Sequence, residues 1–382
     1  MRKIRMMAIG AILSLCGMGN TALAQEASEQ FTIATLNVDG LPQKILVLKL
    51  NTDGPGGAGT ARIGKYLLAK NYDLVMMQED FNYHDVLTVM MEDAYGMDEW
   101  SGEIGIEDRK IDFLHLQNHR FECDGLMACW KKDLQVTPSG RTAWKQNFGK
   151  FSHANDEIVT KGYRRYEVTL RSGTRIVVYN MHMDATLDED EAEKNGAKDR
   201  EARIAQWNQL KDEVLANLDS RPIIITGDMN SFYSRDDVKS QFIDAINESG
   251  RGTAADVWVE LQQKGVYPAV LETEETTELS NIRGEESLDK IIYINPILGT
   301  SIVPVSYNID TEDYMYNGKP LGDHYPVVAT FQVGSEDKQV TGVKTVESSA
   351  ASSKSIYNLN GVHVSQPTNG VYIQNGNKTF VK

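Results

Sequence analysis

Read as a succession of apolar and polar positions, the chain repeats one arrangement: a short apolar run stops and a polar or ionisable side chain follows at once. The clearest case is Arg221–Ser231, RPIIITGDMNS, where Ile223 to Ile225 continues through Thr226, closes on Gly227 and delivers Asp228 and Asn230. Four consecutive β-branched residues bounded by Pro and Gly predict a strand buried on both faces. Asp228 and Asn230 are two positions apart, so an extended geometry points both side chains to one side. One such segment is either a site or an ordinary strand-to-loop turn. Repetition favours the site: runs also end at Asn37, Glu79 and His182, and two late runs open with such groups, at Asp289 and at Asp323-His324. Strand ends are expected to converge on one place.

The remaining elements follow from the same pattern. Phe31 to Val38 alternates as a strand, and Asn51 to Gly59, rich in Gly, predicts a loop before a helix capped by Thr60 with Ile63, Tyr66 and Leu67 on one face. Asp73 to Met77 is a second buried strand, Val86 to Met91 a short helix, and Gly125 to Trp130 another strand. Val168 to Leu170 and Ile176 to Met181 read as a hairpin around Ser172-Gly173. His115 and His119 lie four apart without a carboxylate at fixed offset and read as surface or core histidines. Leu187 to Asp199 reads as a solvated acidic loop, lacking the spacing of a calcium loop, and leads to a helix presenting Ile204, Trp207, Leu210, Val214 and Leu218 that ends near Ser220. Strands at 288–294 and 324–333 follow. Two strand-rich halves with few helices predict an α/β fold, two sheets packed face to face with helices outside.

Composition adds boundaries. The N-terminus carries Arg2, Lys3 and Arg5, an apolar stretch and Ala22-Leu23-Ala24, a secretory signal over residues 1–24. A lipoprotein reading at Cys16 is weaker, because Leu15 is a poor residue before a lipidated cysteine. The expectation is therefore a soluble, secreted or periplasmic chain starting at Gln25. A first domain runs over 25–334, a Ser-rich linker over 335–354, and a small β module over 355–382, punctuated by Asn360-Gly361, Asn369-Gly370 and Asn375-Gly376. The net charge of −15 becomes more negative by three without the leader's basic residues, a surface that repels nucleic acid unless a local basic groove intervenes. Cys123 and Cys129 are an even pair for an oxidising compartment, yet an extended run between them works against a bridge.

TLNVDGLP (35–42), QEDF (78–81), YNMHMDA (179–185), GDMNS (227–231), LDKIIY (288–293) and GDHYPVVATF (322–331), in this order, resemble the endonuclease/exonuclease/phosphatase superfamily, the DNase-I-like fold. The resemblance covers Phe31 to about Val333. Leu41-Pro42, Lys161-Gly162-Tyr163 and Tyr325-Pro326-Val327 lean toward its sphingomyelinase-like branch, whereas Asn37 to Leu41 is similar to the exonuclease III branch, with Asp39 where that branch usually has Asn. Gly322 stands where the family usually has Ser.

The resemblance implies a four-layered sandwich and a metal-dependent phosphate-ester hydrolase using Mg²⁺ or Mn²⁺. It implies Glu79 as principal metal ligand, with Asn37, Asp39 and Asp323 nearby, and His324 as general base oriented by Asp289. Asp228 would position water or leaving group, and Asn230 and His182 would donate to the phosphate. This chemistry suits the residue types, because Mg²⁺ takes oxygen ligands and a phosphodiester needs its anionic oxygens neutralised. The implied substrate is a phospholipid headgroup such as that of sphingomyelin, with transient membrane-surface contact. An extracellular nuclease and a catalytically inactive binding module on the same fold are the alternatives, the latter opposed by the intact set of candidate residues.

Overall fold

A computed structural model describes residues 29–45, 48–49, 51–100, 123–148, 159–186, 189–236, 238–270, 282–283, 286–334, 356–357, 363–364, 370–374 and 377–381. The signal segment, His115, His119 and the linker at 335–354 lie outside them.

Twelve strands carry the larger unit. They are β1 (Gln30–Asn37), β2 (Leu74–Gln78), β3 (Tyr95–Met97), β4 (Met127–Lys131), β5 (Gln135–Ala143) and β6 (Gly162–Thr169), then β7 (Arg175–His182), β8 (Ile223–Asp228), β9 (Gly252–Asp256), β10 (Asp289–Pro296), β11 (Ile302–Ile309) and β12 (Val327–Val333). They form two six-stranded mixed sheets, in the orders β11-β12-β1-β2-β4-β3 and β9-β10-β8-β7-β6-β5. Phe31, Ile33 and Met76 of the first sheet and Val178, Ile224 and Ile291 of the second fill the space between them. Helix α1 (Gly56–Lys70) and α2 (His84–Met91) cover the outer face of the first sheet through Ile63, Leu67, Leu87 and Met91. Helix α3 (Glu189–Asn217) covers the second through Trp207, Leu210 and Val214. The expected four-layered α/β sandwich is the fold.

The topology explains why functional groups cluster at strand ends. Each sheet holds one parallel pair, β1 with β2 and β7 with β8, so both members stop at the same edge, with Asn37 opposite Gln78 and His182 opposite Asp228. Strands β10 and β12 run antiparallel to β8 and β1, so they begin where those end: Asp289 pairs with Asp228, and His324 leads into Val327, the partner of Thr35. Between the sheets near this edge, Gln78 Nε2 donates to Asn180 Oδ1 (2.7 Å), and Asn180 Nδ2 donates to the carbonyls of Met77 (2.9 Å) and Met127 (3.0 Å). These fully buried amides fix how the two sheets face one another, because shifting either would strand polar groups in a dry core. Gly227 belongs to the same edge: its φ is 144°, and a Cβ there would lie 2.0 Å from the Met181 carbonyl.

Several local expectations are corrected. Thr60 does not cap α1; it sits a turn inside, its hydroxyl donating to the Gly56 carbonyl (2.9 Å), because the helix already starts at the Gly-rich segment. Much of the supposed acidic loop, from Glu189 onward, is the start of α3, which ends at Asn217. Acidic residues at a helix N-terminus suit its dipole, and Glu, Ala and Lys are good helix formers. The Cys123–Cys129 bridge, which the sequence leaves open, is not formed; Cys129 is a buried thiol whose pKa burial pushes well up. Among the described residues no helix is long and apolar enough to cross a membrane.

The described residues fall into two compact units, one within 1–340 and one within 341–382. The second contains a four-stranded antiparallel sheet, with Ile356–Tyr357 between His363–Val364 and Gly370–Gln374, and Asn377–Val381 outermost.

Candidate active site

Asn37 ties the two sheets together at the shared edge. Its Nδ2 donates to Glu79 Oε1 (2.9 Å) and to Asp228 Oδ2 (3.1 Å), and its Oδ1 accepts from the Asp39 backbone N–H (3.0 Å). Asp39, Glu79 and Asn230 all hold positive φ, 50°, 58° and 45°. Such backbone is costly for residues with a Cβ and persists where surrounding structure enforces it. At Glu79 the enforcement is visible: the Gly40 N–H donates to its carbonyl (3.0 Å), and a Cβ on Gly40 would meet that oxygen at 2.2 Å. Gly40→Ala is therefore expected to destabilise the fold by about 1–3 kcal/mol and to shift the Glu79 carboxylate, so that any divalent cation it holds binds more weakly. Denaturant unfolding and calorimetric titration check this; parental values in both would show that the contact does not set Glu79.

Two electrostatic neighbourhoods meet here. In the first, Asp39, Glu79 and Asp323 crowd like charges together. Burial, then the Asp323 and Glu79 charges, push Asp39 up to about 8, while burial and Asp323 push Glu79 up to about 7. An Asn51 amide hydrogen bond to Asp39 offsets only part of this. Hard oxygen donors carrying surplus negative charge fit a divalent cation.

The second neighbourhood is already neutralised from within. His324 Nδ1 lies 2.7 Å from Asp289 Oδ2, and its Nε2 lies 3.7 Å from Asp228 Oδ2. Burial opposes the imidazolium, but Asp289, Asp228 and Asp323 outweigh it and hold the His324 pKa well above its usual value. Burial likewise opposes ionisation of Asp228, yet the His324 and Lys161 charges and the Asn37 hydrogen bond hold its pKa below the ordinary carboxylate range. The donor atoms of Asp228, Asp289 and His324 lie within 4.8 Å of one another, a spacing that would also admit a metal.

His182 and Asn230 complete the edge. His182 Nε2 is 3.4 Å from Asp228 Oδ2 and 3.9 Å from Glu79 Oε1. Burial and nearby Lys161 push its pKa well below the usual value, so it is a neutral donor, and its Nδ1 meets no hydrogen-bond partner. Asn230 does not keep the extended geometry expected beside Asp228: its backbone N–H donates to Asp228 Oδ1 (3.0 Å), and its Nδ2 donates to the Met183 carbonyl (3.1 Å). The left-handed turn redirects the side chain, while the amide remains at the site.

The structure thus brings all nine candidate residues to one edge, and adds Lys161. Its buried ammonium donates to the Met183 carbonyl (3.1 Å) and acts on Glu79, His182 and Asp228. Only the strand pairing reveals it: Lys161 opens β6, antiparallel to β7, as Asp289 and His324 open their strands.

The chain has the expected DNase-I-like fold. It is similar to a crystal structure of TDP2 from D. rerio complexed with single strand DNA product (TM-score 0.51, 15% identity, 80% of this chain and 100% of that one). It is equally similar to an endonuclease/exonuclease/phosphatase structure from Bacteroides vulgatus (TM-score 0.51, 14% identity, 80% and 100%). Within that class its sequence resembles the sphingomyelinase-like branch: proteins named sphingomyelinase from Mycobacterium tuberculosis and Mycobacterium bovis are 26% identical over 316 residues, 82% of this chain. The chain spans 54% of the length of these curated relatives. No family model matches the sequence.

Proposed function

We propose that this protein is a secreted, divalent-metal-dependent phosphodiesterase that hydrolyses a phospholipid headgroup, in the manner of a sphingomyelinase. The observation that carries the reading is the pairing of a repelling carboxylate cluster, Asp39, Glu79 and Asp323, with a carboxylate-fixed histidine, His324 on Asp289. The resemblance to sphingomyelinases and the acidic net charge support a lipid over a nucleic acid. The leader at residues 1–24 supports export.

A Mg²⁺ or Mn²⁺ ion held by Glu79, with Asp39 and Asp323 beside it, would supply Lewis-acid polarisation of a phosphate oxygen; Asn37, expected as a further ligand, instead turns its Nδ2 to Glu79 and Asp228 and holds both carboxylates. The chain's own groups do the rest. Neutral His182 and the Asn230 amide donate to phosphate oxygens, and Lys161 adds fixed positive charge as negative charge grows on them. Asp289 holds His324 by Nδ1, leaving Nε2 to move the proton. The surrounding carboxylates favour a proton on the ring; in its neutral form, which a smaller carboxylate charge would favour, Nε2 would accept a proton from water. Asp228, kept ionised, orients the water or leaving group.

The fold shared with TDP2 bound to a DNA product favours the nuclease as second reading. Purified protein with Mg²⁺ is offered sphingomyelin vesicles or plasmid DNA, with His324→Ala as blank. Phosphocholine release with intact DNA is expected. Cut DNA with untouched lipid assigns a nuclease, and no turnover of either leaves a binding module.

A further inference from the structure

One cavity of about 740 Å³ is lined both by Asp39 and Asp323 of the carboxylate cluster and by Arg62, Tyr316 and Lys319. A second, of about 690 Å³, shares Arg62 and Tyr316 and adds Lys65. The wall opposite α1 is a hairpin in which Met315–Tyr316 pairs with Lys319–Pro320, Tyr316 standing across from Lys319. Asn317 and Gly318 between them both have positive φ, 52° and 75°, the turn that suits a two-residue connection. The hairpin and helix are therefore defined walls.

The charge on these walls is unusual for so acidic a chain. Lys70, later on α1, is neutralised by Asp310 (2.5 Å) and Asp313 (2.7 Å). Among the described residues Arg62, Lys65 and Lys319 form no ion pair. The Arg62 guanidinium instead lies 3.9 Å from the centre of the Tyr316 ring. That stacking orients the guanidinium and also occupies the aromatic face on which a quaternary ammonium would sit. A cationic headgroup is repelled from this part of the cavity, whereas an anion finds unpaired donors, the planar fork of Arg62 above all. Asp53 also lines the cavity and, with Asp39 and Asp323 when no cation is bound to them, disfavours an anion elsewhere along it.

We propose that Arg62, Lys319 and, from the adjoining cavity, Lys65 form an anion subsite that takes a phosphate or carboxylate of a phospholipid headgroup, beside the scissile phosphodiester at Asp39 and Asp323. The inference rests on the phosphodiesterase reading and adds a preference: acidic headgroups bind more tightly than phosphocholine. A volume of about 740 Å³ is within the range of small-molecule sites and accommodates a headgroup with its phosphate.

The test is binding, measured by calorimetry on full-length His324→Ala protein with Mg²⁺ and water-soluble short-chain phosphatidylserine or phosphatidylcholine. The acidic headgroup is expected to bind about tenfold more tightly. Adding Arg62→Gln and Lys319→Gln should erase the preference without weakening phosphatidylcholine binding, and Arg62→Lys should retain part of it. Equal affinities in the parent, binding of neither lipid, or a preference that survives the double substitution would overturn the proposal. Inorganic phosphate binding as tightly as the acidic lipid would assign a free-anion site instead. Loss of oligonucleotide binding with the lipid preference unchanged would hand the cavity to nucleic acid. Because the readout is affinity, a failure to release phosphocholine in the unsubstituted enzyme sinks the function without deciding the subsite.

Discussion

Glu79→Ala is expected to lower turnover of a phosphodiester by on the order of 10³-fold, because the Lewis-acid contribution lost with the metal amounts to several kcal/mol. The domain should stay folded. In the absence of metal its thermal stability should hold or rise at neutral pH, since Glu79 sits against Asp323 and Asp39 and its removal relieves repulsion. This combination separates the account from a structural role: a residue needed for folding would lose activity and stability together. Activity within a few-fold of the parent, or activity unaffected by excess chelator, contradicts the assignment.

The histidine–carboxylate pair provides the second large effect. His324→Ala removes the proton carrier and should cost about 10²–10⁴-fold in kcat. Asp289→Asn keeps the base but loses the charge that orients it and raises its pKa, so a smaller loss is expected, about 10–10²-fold by analogy with other orienting partners. The sign of the pH effect follows directly. Asp289 favours the imidazolium, so its neutralisation lowers the His324 pKa, and the pH–rate limb belonging to that group moves to lower pH. A pH profile of kcat for the two variants checks this. Equal, small losses with an unmoved limb would make both residues structural.

How much of this was legible in the sequence depended on locality. The strand-end groups could be read because a buried strand is a short apolar run, and the residue that breaks it is visible at once, as at Ile223 to Asp228. Convergence could be inferred from repetition. The pairing that produces it could not, because the parallel registers of Asn37 with Gln78 and His182 with Asp228 join residues far apart in the chain. Lys161 stands in the sequence only as part of Lys161-Gly162-Tyr163, with no sign of a place in the site; its burial follows from β6 lying against β7 beside Met183. The start of α3 was missed because acidic residues were read as solvated loop rather than as a helix N-terminus. Asn230 was read as extended, whereas its left-handed φ and bond to Met183 depend on the neighbouring strand. The His324 protonation state also escaped, since three carboxylates from separate segments decide it.

The central claim is that a divalent ion sits on the Glu79 group while His324 remains free to move a proton. Crystals grown with Mn²⁺ and examined by anomalous scattering test it most directly. The account predicts a peak at coordination distance, about 2.0–2.3 Å, from a Glu79 carboxylate oxygen, bordered by Asp39 or Asp323, with His324 still bonded to Asp289. A peak enclosed by Asp228, Asp289 and His324, making the histidine a ligand, would contradict it.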